Sequence, residues 1–163
     1  MILNFRKAQL ADLPAVLEIY QNARDFMRQT GNPNQWKQHH PAEELIRADI
    51  AQQQLIVCTE ADQILAVFAY LPGIDPTYLK IEGGVWLNDE PYAVIHRIAV
   101  AVPGKGIAGK CFDWALQQCP NLRIDTHRDN LPMQKALQKH GFSYCGVIYL
   151  ASGEDRIAFH KCL

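Results

Sequence analysis

Apolar positions along this chain recur with two spacings, one typical of strands and one typical of helices. The segment Ile2 to Ala8 is strand-like, and helical spacing then runs from Asp12 to Gln29, with Pro14 in a first turn that tolerates proline. A second helix is predicted from Pro41 to about Gln52. Two apolar segments, Gln54 to Thr59 and Ile64 to Leu71, flank an acidic turn and predict a hairpin.

The second half of the chain continues this alternation. Tyr92 to Ala101 predicts a strand, and a glycine-rich turn leads from it into a helix that ends near Gln118. Leu122 to Thr126 predicts a short strand, Asn130 to His140 predicts a helix, and two strands close the chain. We therefore expect a mixed α/β sandwich in a single domain, residues 1–163.

Composition argues against several classes of partner. Lys and Arg number 16 against 17 Asp and Glu, so no excess of positive charge favours nucleic acid or an anionic membrane. No apolar run approaches the roughly 20 residues of a membrane span, and Met1 to Lys7 lacks the layout of a secretory signal. We therefore expect a cytoplasmic protein. The 5 cysteines include no CxxC pair, which predicts reduced thiols and no metal site.

The segment from His96 to Lys110 has the most informative pattern: a strand, a turn of small residues, and a helix start. Gly104, Gly106 and Gly109 let the backbone approach a ligand closely, and the free N–H groups of a first helical turn attract an anion. A phosphate or pyrophosphate would fit there. The alternative is that the glycines only make a tight connection between strand and helix.

The same glycines also satisfy GxxxxGK, the first part of a nucleoside-triphosphate P-loop, from Gly104 to Lys110. That motif continues with Ser or Thr, which binds Mg²⁺, whereas this chain has Cys111, a soft ligand that suits a hard cation poorly. The turn also comes late in the chain, after an antiparallel hairpin. An NTPase is therefore the less favoured interpretation.

The turn resembles the signature R/Q-x-x-G-x-G/A of the GNAT superfamily of acyltransferases, and the resemblance covers nearly the whole chain. Gly106 and Ala108 match the two small positions, whereas Pro103 replaces the usual Arg or Gln. In that family the strand before the turn pairs with the pantetheine arm of coenzyme A through its backbone. The resemblance thus implies an acetyl-CoA site made of Ile98, Ala99, Val100, Gly104, Lys105, Gly106, Ile107, Ala108 and Gly109.

A second signature follows in the family's order. Asn130 resembles the asparagine that contacts the coenzyme arm, and Gly141-Phe142 resembles the end of the next helix. An asparagine at this position also suits a helix cap. The family fold is a single mixed, mostly antiparallel, twisted sheet of about seven strands flanked by about four helices and splayed between the fourth and fifth strands, and we expect that fold here.

Acetylation of an amine needs a polarised carbonyl and a base, because amines are protonated at neutral pH. In the family a main-chain N–H before the turn polarises the carbonyl, and by position this donor is Ile98. Asp125 is the first candidate for the base, where related ribosomal-protein alanine acetyltransferases carry glutamate. Its alternative role is a structural salt bridge with a nearby arginine. His96, which shares a strand face with Ile98, and Glu82 are the other candidates.

The family's usual acid is missing. Many members place a tyrosine that protonates the leaving sulfur where this chain has Leu137. Tyr144 or Tyr149, on the following strand, is the candidate replacement, although both also suit packing roles. A thiol with a pKa of about 8.5 is also a fair leaving group without help.

Two long irregular segments, Gly31 to Pro41 and Leu71 to Pro91, flank the acceptor side of the site in the family. Trp36, Trp86 and Glu82 lie in them, and aromatic faces and carboxylates favour a cationic amine. The alternative is that the tryptophans only pin the segments to the core.

The sequence therefore predicts an N-acetyltransferase that moves the acetyl group of acetyl-CoA, its cosubstrate, to a primary amine of a small molecule or peptide by direct attack in a ternary complex. A relative that binds CoA without catalysis is the alternative, ahead of a P-loop NTPase. The acceptor and the acyl chain preference stay open, and so does a homodimer.

Overall fold

A computed structural model describes residues 1–163, with seven strands, four α-helices and two short 3₁₀ turns, Leu10–Asp12 and Pro76–Tyr78. The strands are β1 (Asn4–Lys7), β2 (Leu55–Glu60), β3 (Gln63–Pro72), β4 (Ala93–Val100), β5 (Asn121–Thr126), β6 (Ser143–Tyr149) and β7 (Asp155–Cys162). The helices are α1 (Leu13–Gln29), α2 (Glu43–Ala51), α3 (Ile107–Gln118) and α4 (Leu131–Lys139).

All seven strands form one sheet in the order β1-β2-β3-β4-β5-β7-β6. Every neighbouring pair is antiparallel except β4 and β5, which run parallel and are joined through α3. The mixed, mostly antiparallel sheet with four helices that the resemblance implied is therefore confirmed.

The sheet divides between its fourth and fifth strands, as expected. β4 and β5 pair only at Ala93 with Leu122 and at Val94 with Arg123. Beyond these two pairs the strands diverge, and the second half of each strand borders an opening. We call this opening the splay.

Apolar side chains on both faces of the sheet build the core. On β2, Leu55 and Val57 pack with α1, whereas Ile56 and Cys58 pack with α3, because successive side chains of a strand point to opposite faces. This burial on both faces explains why the strand reads as a continuous apolar run.

The segment between β3 and β4, residues 73–92, covers one face of the second half of the sheet. Tyr78 and Tyr92 of this segment pack against Val94, Ile148 and Ala158. The 3₁₀ turn that ends at Tyr78 is thereby brought beside the splay.

The five cysteines are all unpaired. No group of three or more His, Cys, Asp or Glu side chains is arranged to hold a metal ion. None of the helices combines the length and the apolar character that crossing a membrane requires.

Candidate active site

The splay opens into a cavity of about 520 Å³. β4 contributes Ile95 to Ile98 to its wall, and β5 contributes Ile124 to Thr126. The remaining wall comes from the end of α1 and the segment that follows it, the segment 73–92 through Asp75 and Thr77, the start of α4, and the connection between β6 and β7 with the start of β7. The ends of both diverging strands therefore present their side chains to one space.

β4 carries a bulge at the edge of this cavity. His96 pairs with Ala69 and Ala99 pairs with Val67, so Arg97 and Ile98 together oppose the single residue Phe68. Arg97 has a φ of 54°, in the left-handed region. A bulge of this kind twists the strand and redirects its backbone groups.

Contacts from two helices hold the bulge in place. Nε and Nη2 of Arg97 each donate a hydrogen bond of 2.9 Å to the carboxylate of Asp49 on α2, whose side chain is 1% exposed. The hydroxyl of Tyr20 on α1 donates to the carbonyl of Arg97 at 2.7 Å. The strained residue is thus fixed by a buried ion pair and by a hydrogen bond to its own backbone.

His96 and Asp125, two predicted candidates for the base, lie together in the cavity wall. Nδ1 of His96 is 3.9 Å from Oδ2 of Asp125, and Nε2 of His96 is 2.6 Å from Oδ2 of Asp75. Oδ2 of Asp125 accepts a hydrogen bond of 2.6 Å from the hydroxyl of Tyr78. The two strands of the splay therefore hold an imidazole and a carboxylate side by side.

The alternative role of Asp125, a salt bridge with a neighbouring arginine, is not observed. Arg123 lies over the rings of Trp86 and Tyr92, at 4.2 and 3.9 Å from their centroids. Arg128 approaches Asp155 instead, at 3.7 Å. The carboxylate of Asp125 therefore accepts a hydrogen bond from Tyr78 and lines the cavity.

Asn130 lies at the start of α4 and is held from two sides. Its Oδ1 accepts a hydrogen bond from the backbone N–H of Met133 at 3.1 Å, which caps the helix. Its Nδ2 donates to Oε1 of Gln35, in the segment between α1 and α2, at 2.9 Å. The residue lines the cavity, as expected of a ligand contact, and is also the predicted cap.

Trp36 has the packing role that the sequence suggested for it, and it also borders the cavity. Its ring packs edge-on against Tyr20, with centroids 5.7 Å apart, and is 7% exposed, so the residue does pin its segment to the core. Trp36 also lines the cavity.

Three other predicted residues lie outside the cavity lining. Nε1 of Trp86 donates to the carbonyl of Tyr78 at 2.9 Å, so this tryptophan pins the segment 73–92 to the core. Glu82 is exposed and pairs with Lys80 at 3.1 Å. Tyr144 is 54% exposed and packs on Phe159. The structure therefore does not bring Trp86 or Glu82 to the acceptor, nor Tyr144 to the chemistry.

The glycine-rich turn reaches the start of α3 in a conformation that requires glycine. Gly104 and Gly106 have φ values of 82° and 74°, and a Cβ at either position would meet no atom within 4 Å. Gly106 is the N-cap of α3, and no side chain caps the helix there. Lys105 is exposed, Ile107 buried and Ala108 partly buried. The first N–H groups of this twelve-residue helix thus have no side-chain cap, which leaves them available to an anion.

Gly109 has a different reason to be glycine. A Cβ there would lie 2.0 Å from Nε2 of His140, which follows α4. The residue lets two helices approach closely, which gives Gly109 a packing role beside its predicted place in the coenzyme site. Cys111, on the face of α3 that packs into the core, is fully buried and does not face the turn, which argues against the P-loop alternative.

Sequence reasoning missed two residues that position the site, Asp75 and Gln35. Both lie in irregular segments, where no periodicity fixes what a side chain meets. Asp75 ahead of Pro76 and Thr77 is a recognisable turn start, but nothing local indicates His96 as its partner. Thr126 was also missed: its hydroxyl is buried, lines the cavity and has no hydrogen-bond partner in the protein.

No family model matches the sequence, and no curated protein is similar enough in sequence to match it. The fold, however, matches solved structures over its full length. An acetyltransferase of the GNAT family from Streptococcus agalactiae superposes with a TM-score of 0.90 and 28% identity, covering 99% of this chain and 95% of that one.

Two further structures extend the comparison. A ribosomal-protein-alanine N-acetyltransferase from Brucella melitensis gives a TM-score of 0.67 at 20% identity, with 98% of this chain and 99% of that chain covered. The NatC complex bound to Gag peptide and CoA gives a TM-score of 0.64 at 12% identity, with 100% of this chain and 99% of that chain covered.

The chain has a seven-stranded mixed sheet that divides between its parallel central strands, and a glycine-rich turn leads from the first of these strands into α3. Over its full length this fold matches the acetyltransferase structures above. The chain belongs to the GNAT superfamily.

Proposed function

We propose that the protein is an N-acetyltransferase that moves the acetyl group of acetyl-CoA to a primary amine of a small molecule or peptide by direct attack in a ternary complex. The observation that carries this proposal is the cavity at the splay, where His96 on β4 and Asp125 on β5 face each other, with Nδ1 and Oδ2 3.9 Å apart. The glycine-rich turn follows β4 directly.

The residues around the splay fit a coenzyme A arm. After Val94, β4 has no further residue pairs with β5, which leaves main-chain groups from Ile98 to Val100 for a ligand. The turn 104–108 offers uncapped N–H groups to a pyrophosphate. Asn130 and the unpartnered hydroxyl of Thr126 line the cavity at the splay. Bound acetyl-CoA would supply an acyl group activated as a thioester.

Two side chains of the cavity suit a cationic acceptor. The carboxylate of Asp125 attracts an ammonium group, while the imidazole of His96 removes its proton. An imidazole is ordinarily a stronger base than a carboxylate by about two pKa units, so we assign the base to His96 and the binding of the amine to Asp125. The backbone N–H of Ile98, next to the bulge, is the proposed donor to the thioester carbonyl.

No tyrosine lines the cavity, and Leu137 is fully buried. We therefore propose that the thiol leaves without a tyrosine to protonate it. The pKa of an ordinary thiol, about 8.5, makes this step feasible.

The experiment measures ligand binding and turnover separately. Acetyl-CoA at about 100 times its Kd should stabilise the native protein by about 2.7 kcal/mol and raise Tm by several degrees, whereas ATP with Mg²⁺ should not. Release of CoA is then measured with polyamines, amino acids, aminoglycosides and peptides with free N-termini. The variant His96→Gln should keep the rise in Tm and lose turnover by about 100-fold or more.

The same two measurements distinguish the alternative functions. A rise in Tm with acetyl-CoA but no turnover with any amine would identify a CoA-binding relative without catalysis. The absence of any rise in Tm would refute the proposed cosubstrate.

A further inference from the structure

The 3₁₀ turn Pro76–Tyr78 lies behind both polar groups of the site. Asp75 precedes it, and Oδ1 of Asp75 accepts hydrogen bonds from the backbone N–H of Thr77 at 2.9 Å and from its hydroxyl at 2.7 Å. Oδ2 of the same carboxyl lies 2.6 Å from Nε2 of His96. One oxygen is therefore fixed by the turn, and the other contacts the imidazole.

The protonation of this pair follows from the charge of Asp75. Burial would raise the pKa of its carboxyl, but hydrogen bonds from His96 and Thr77 outweigh burial and lower the pKa to about 2. The carboxyl is thus ionised at neutral pH and can only accept hydrogen bonds. The short contact therefore requires the proton of the neutral imidazole to be on Nε2, which leaves a lone pair on Nδ1.

Nδ1 of His96 is the ring nitrogen on the side of Asp125. The distance of 3.9 Å to Oδ2 of Asp125 is beyond hydrogen-bonding range, and a carboxylate has no proton to donate. Nδ1 is therefore available to a donor from another molecule that enters the cavity.

The far end of the same turn holds Asp125. Burial raises the pKa of Tyr78 well above its usual value, and the charge of Asp125 raises it further. The hydroxyl therefore keeps its proton and donates a hydrogen bond of 2.6 Å to Oδ2 of Asp125. A segment of four residues, 75 to 78, thus orients both the imidazole and the carboxylate.

Charged and titratable groups surround His96 on every side. Burial lowers the pKa of His40, and the positive charges of Arg97, Arg156, His96 and Arg24 lower it further. Asp75 and Tyr78 of the segment 73–92 face the imidazole, as does Asp125 of β5. His40 of the segment between α1 and α2 and Arg97 of β4 itself are its other charged or titratable neighbours.

We propose that Asp75 is a positioning residue for acyl transfer: by binding Nε2 of His96 it keeps Nδ1 as the ring atom that takes the proton from the acceptor amine. This inference rests on the proposed function. In the proton transfer, an N–H bond of the acceptor ammonium breaks, its electron pair stays on the amine nitrogen, and the proton bonds to Nδ1. The imidazolium that forms is stabilised by the Asp75 carboxylate.

The test substitutes Asp75→Asn, which keeps the start of the turn because asparagine caps as well as aspartate. Asp62→Asn, in the exposed turn between β2 and β3, is the matched control. We measure kcat and KM against pH with an accepted amine. We also determine the tautomer of His96 by ¹⁵N NMR of the free protein, assigned by comparison with His96→Gln.

In wild type we expect the proton of neutral His96 on Nε2. In Asp75→Asn the amide oxygen stays with Thr77 and the NH2 faces the ring, so we expect the proton to move to Nδ1. The value of kcat should fall at least about tenfold, with both KM values within about threefold of wild type. The acid limb of the pH profile should move to lower pH, because the imidazolium loses its carboxylate partner. Asp62→Asn should match wild type.

A proton on Nδ1 in wild type, or an Asp75→Asn variant with unchanged kcat and pH profile, would overturn the inference. Absence of turnover in the wild type would instead refute the proposed function, and the tautomer would still decide whether Asp75 fixes the ring. Because the tautomer is also measured on the wild type, a variant that fails to fold leaves the test intact.

Discussion

Asn130 shows how one side chain can serve local structure and the site together. Its oxygen caps α4 through Met133, and its nitrogen holds Gln35 at the rim of the cavity. Gln35 also accepts a hydrogen bond from Asn32, at 2.8 Å. The amide of Asn130 therefore links the start of α4 to the segment between α1 and α2.

We predict that Asn130→Ala lowers the free energy of unfolding by about 1 kcal/mol, the usual cost of a lost cap. Asn130→Ser restores an oxygen for the N–H of Met133 and should recover most of that loss, without recovering the contact with Gln35. Thermal unfolding measures the first effect, and titration with acetyl-CoA measures whether the amide also contributes to binding. Equal stability of Ala and Ser variants would contradict the capping role.

At this scale the sequence predicted the residues that lie on regular elements. Asp125 and Asn130 could be located because they match positions of the family's second signature, and His96 because it shares a strand face with Ile98. Asp75 and Gln35 could not, because their partners are far away in the chain and depend on how the irregular segments fold back.

Helices α3 and α4 meet where Gly109 faces His140. The close approach is possible because Gly109 has no Cβ, and the ring of His140 packs edge-on against Phe112, with centroids 5.9 Å apart. Glycine is therefore needed at 109 for helix packing, whereas Gly104 and Gly106 are needed for the backbone conformation of the turn.

We predict that Gly109→Ala destabilises the protein by about 1–3 kcal/mol, because the added methyl group forces the imidazole aside. Removing that ring in the double variant Gly109→Ala/His140→Ala should relieve the clash, so the two substitutions will not be additive. Chemical denaturation of the four proteins measures the coupling. Strict additivity would show that Gly109 is not limited by His140.

The elements themselves were predictable, but the bulge in β4 was not. Helix and strand periods depend on residues close in sequence, so they can be read locally. The left-handed backbone of Arg97 is held by Asp49 from α2 and Tyr20 from α1, and neither contact can be predicted from the residues of β4 alone.

The two halves of the molecule differ in how their cores are built. The first half buries the ion pair of Asp49 with Arg97, whereas the second half contains a buried polar cluster around His160. Nδ1 of this histidine accepts a hydrogen bond of 3.1 Å from the N–H of Leu87, and Nε2 lies 2.6 Å from Oδ1 of Asn121. The ring is therefore held in its neutral form, because protonation would place a second donor against the N–H of Leu87.

We predict that the protein loses stability on acidification through this histidine. Burial, and then the charge of Arg123, lower the pKa of His160 to about 4, against about 6.5 in the unfolded chain. Between these values the unfolded chain binds more protons, so the free energy of unfolding falls as the pH falls, by on the order of 2 kcal/mol in total. His160→Gln should reduce the difference in stability between pH 7 and pH 5. An unchanged difference, measured by chemical denaturation, would exclude this origin.

The segment between α1 and α2 touches both halves of the divided sheet. Trp36 packs beside Tyr20 in the first half, while Gln35 accepts a hydrogen bond from Arg156 and Lys37 pairs with Glu154 in the second. Because the central strands share only two residue pairs, the length of this segment helps to set how wide the gap between them stands. We therefore expect insertions or deletions there to resize the cavity without altering His96 or Asp125, and under the proposed function they would change the size of the amine that is admitted.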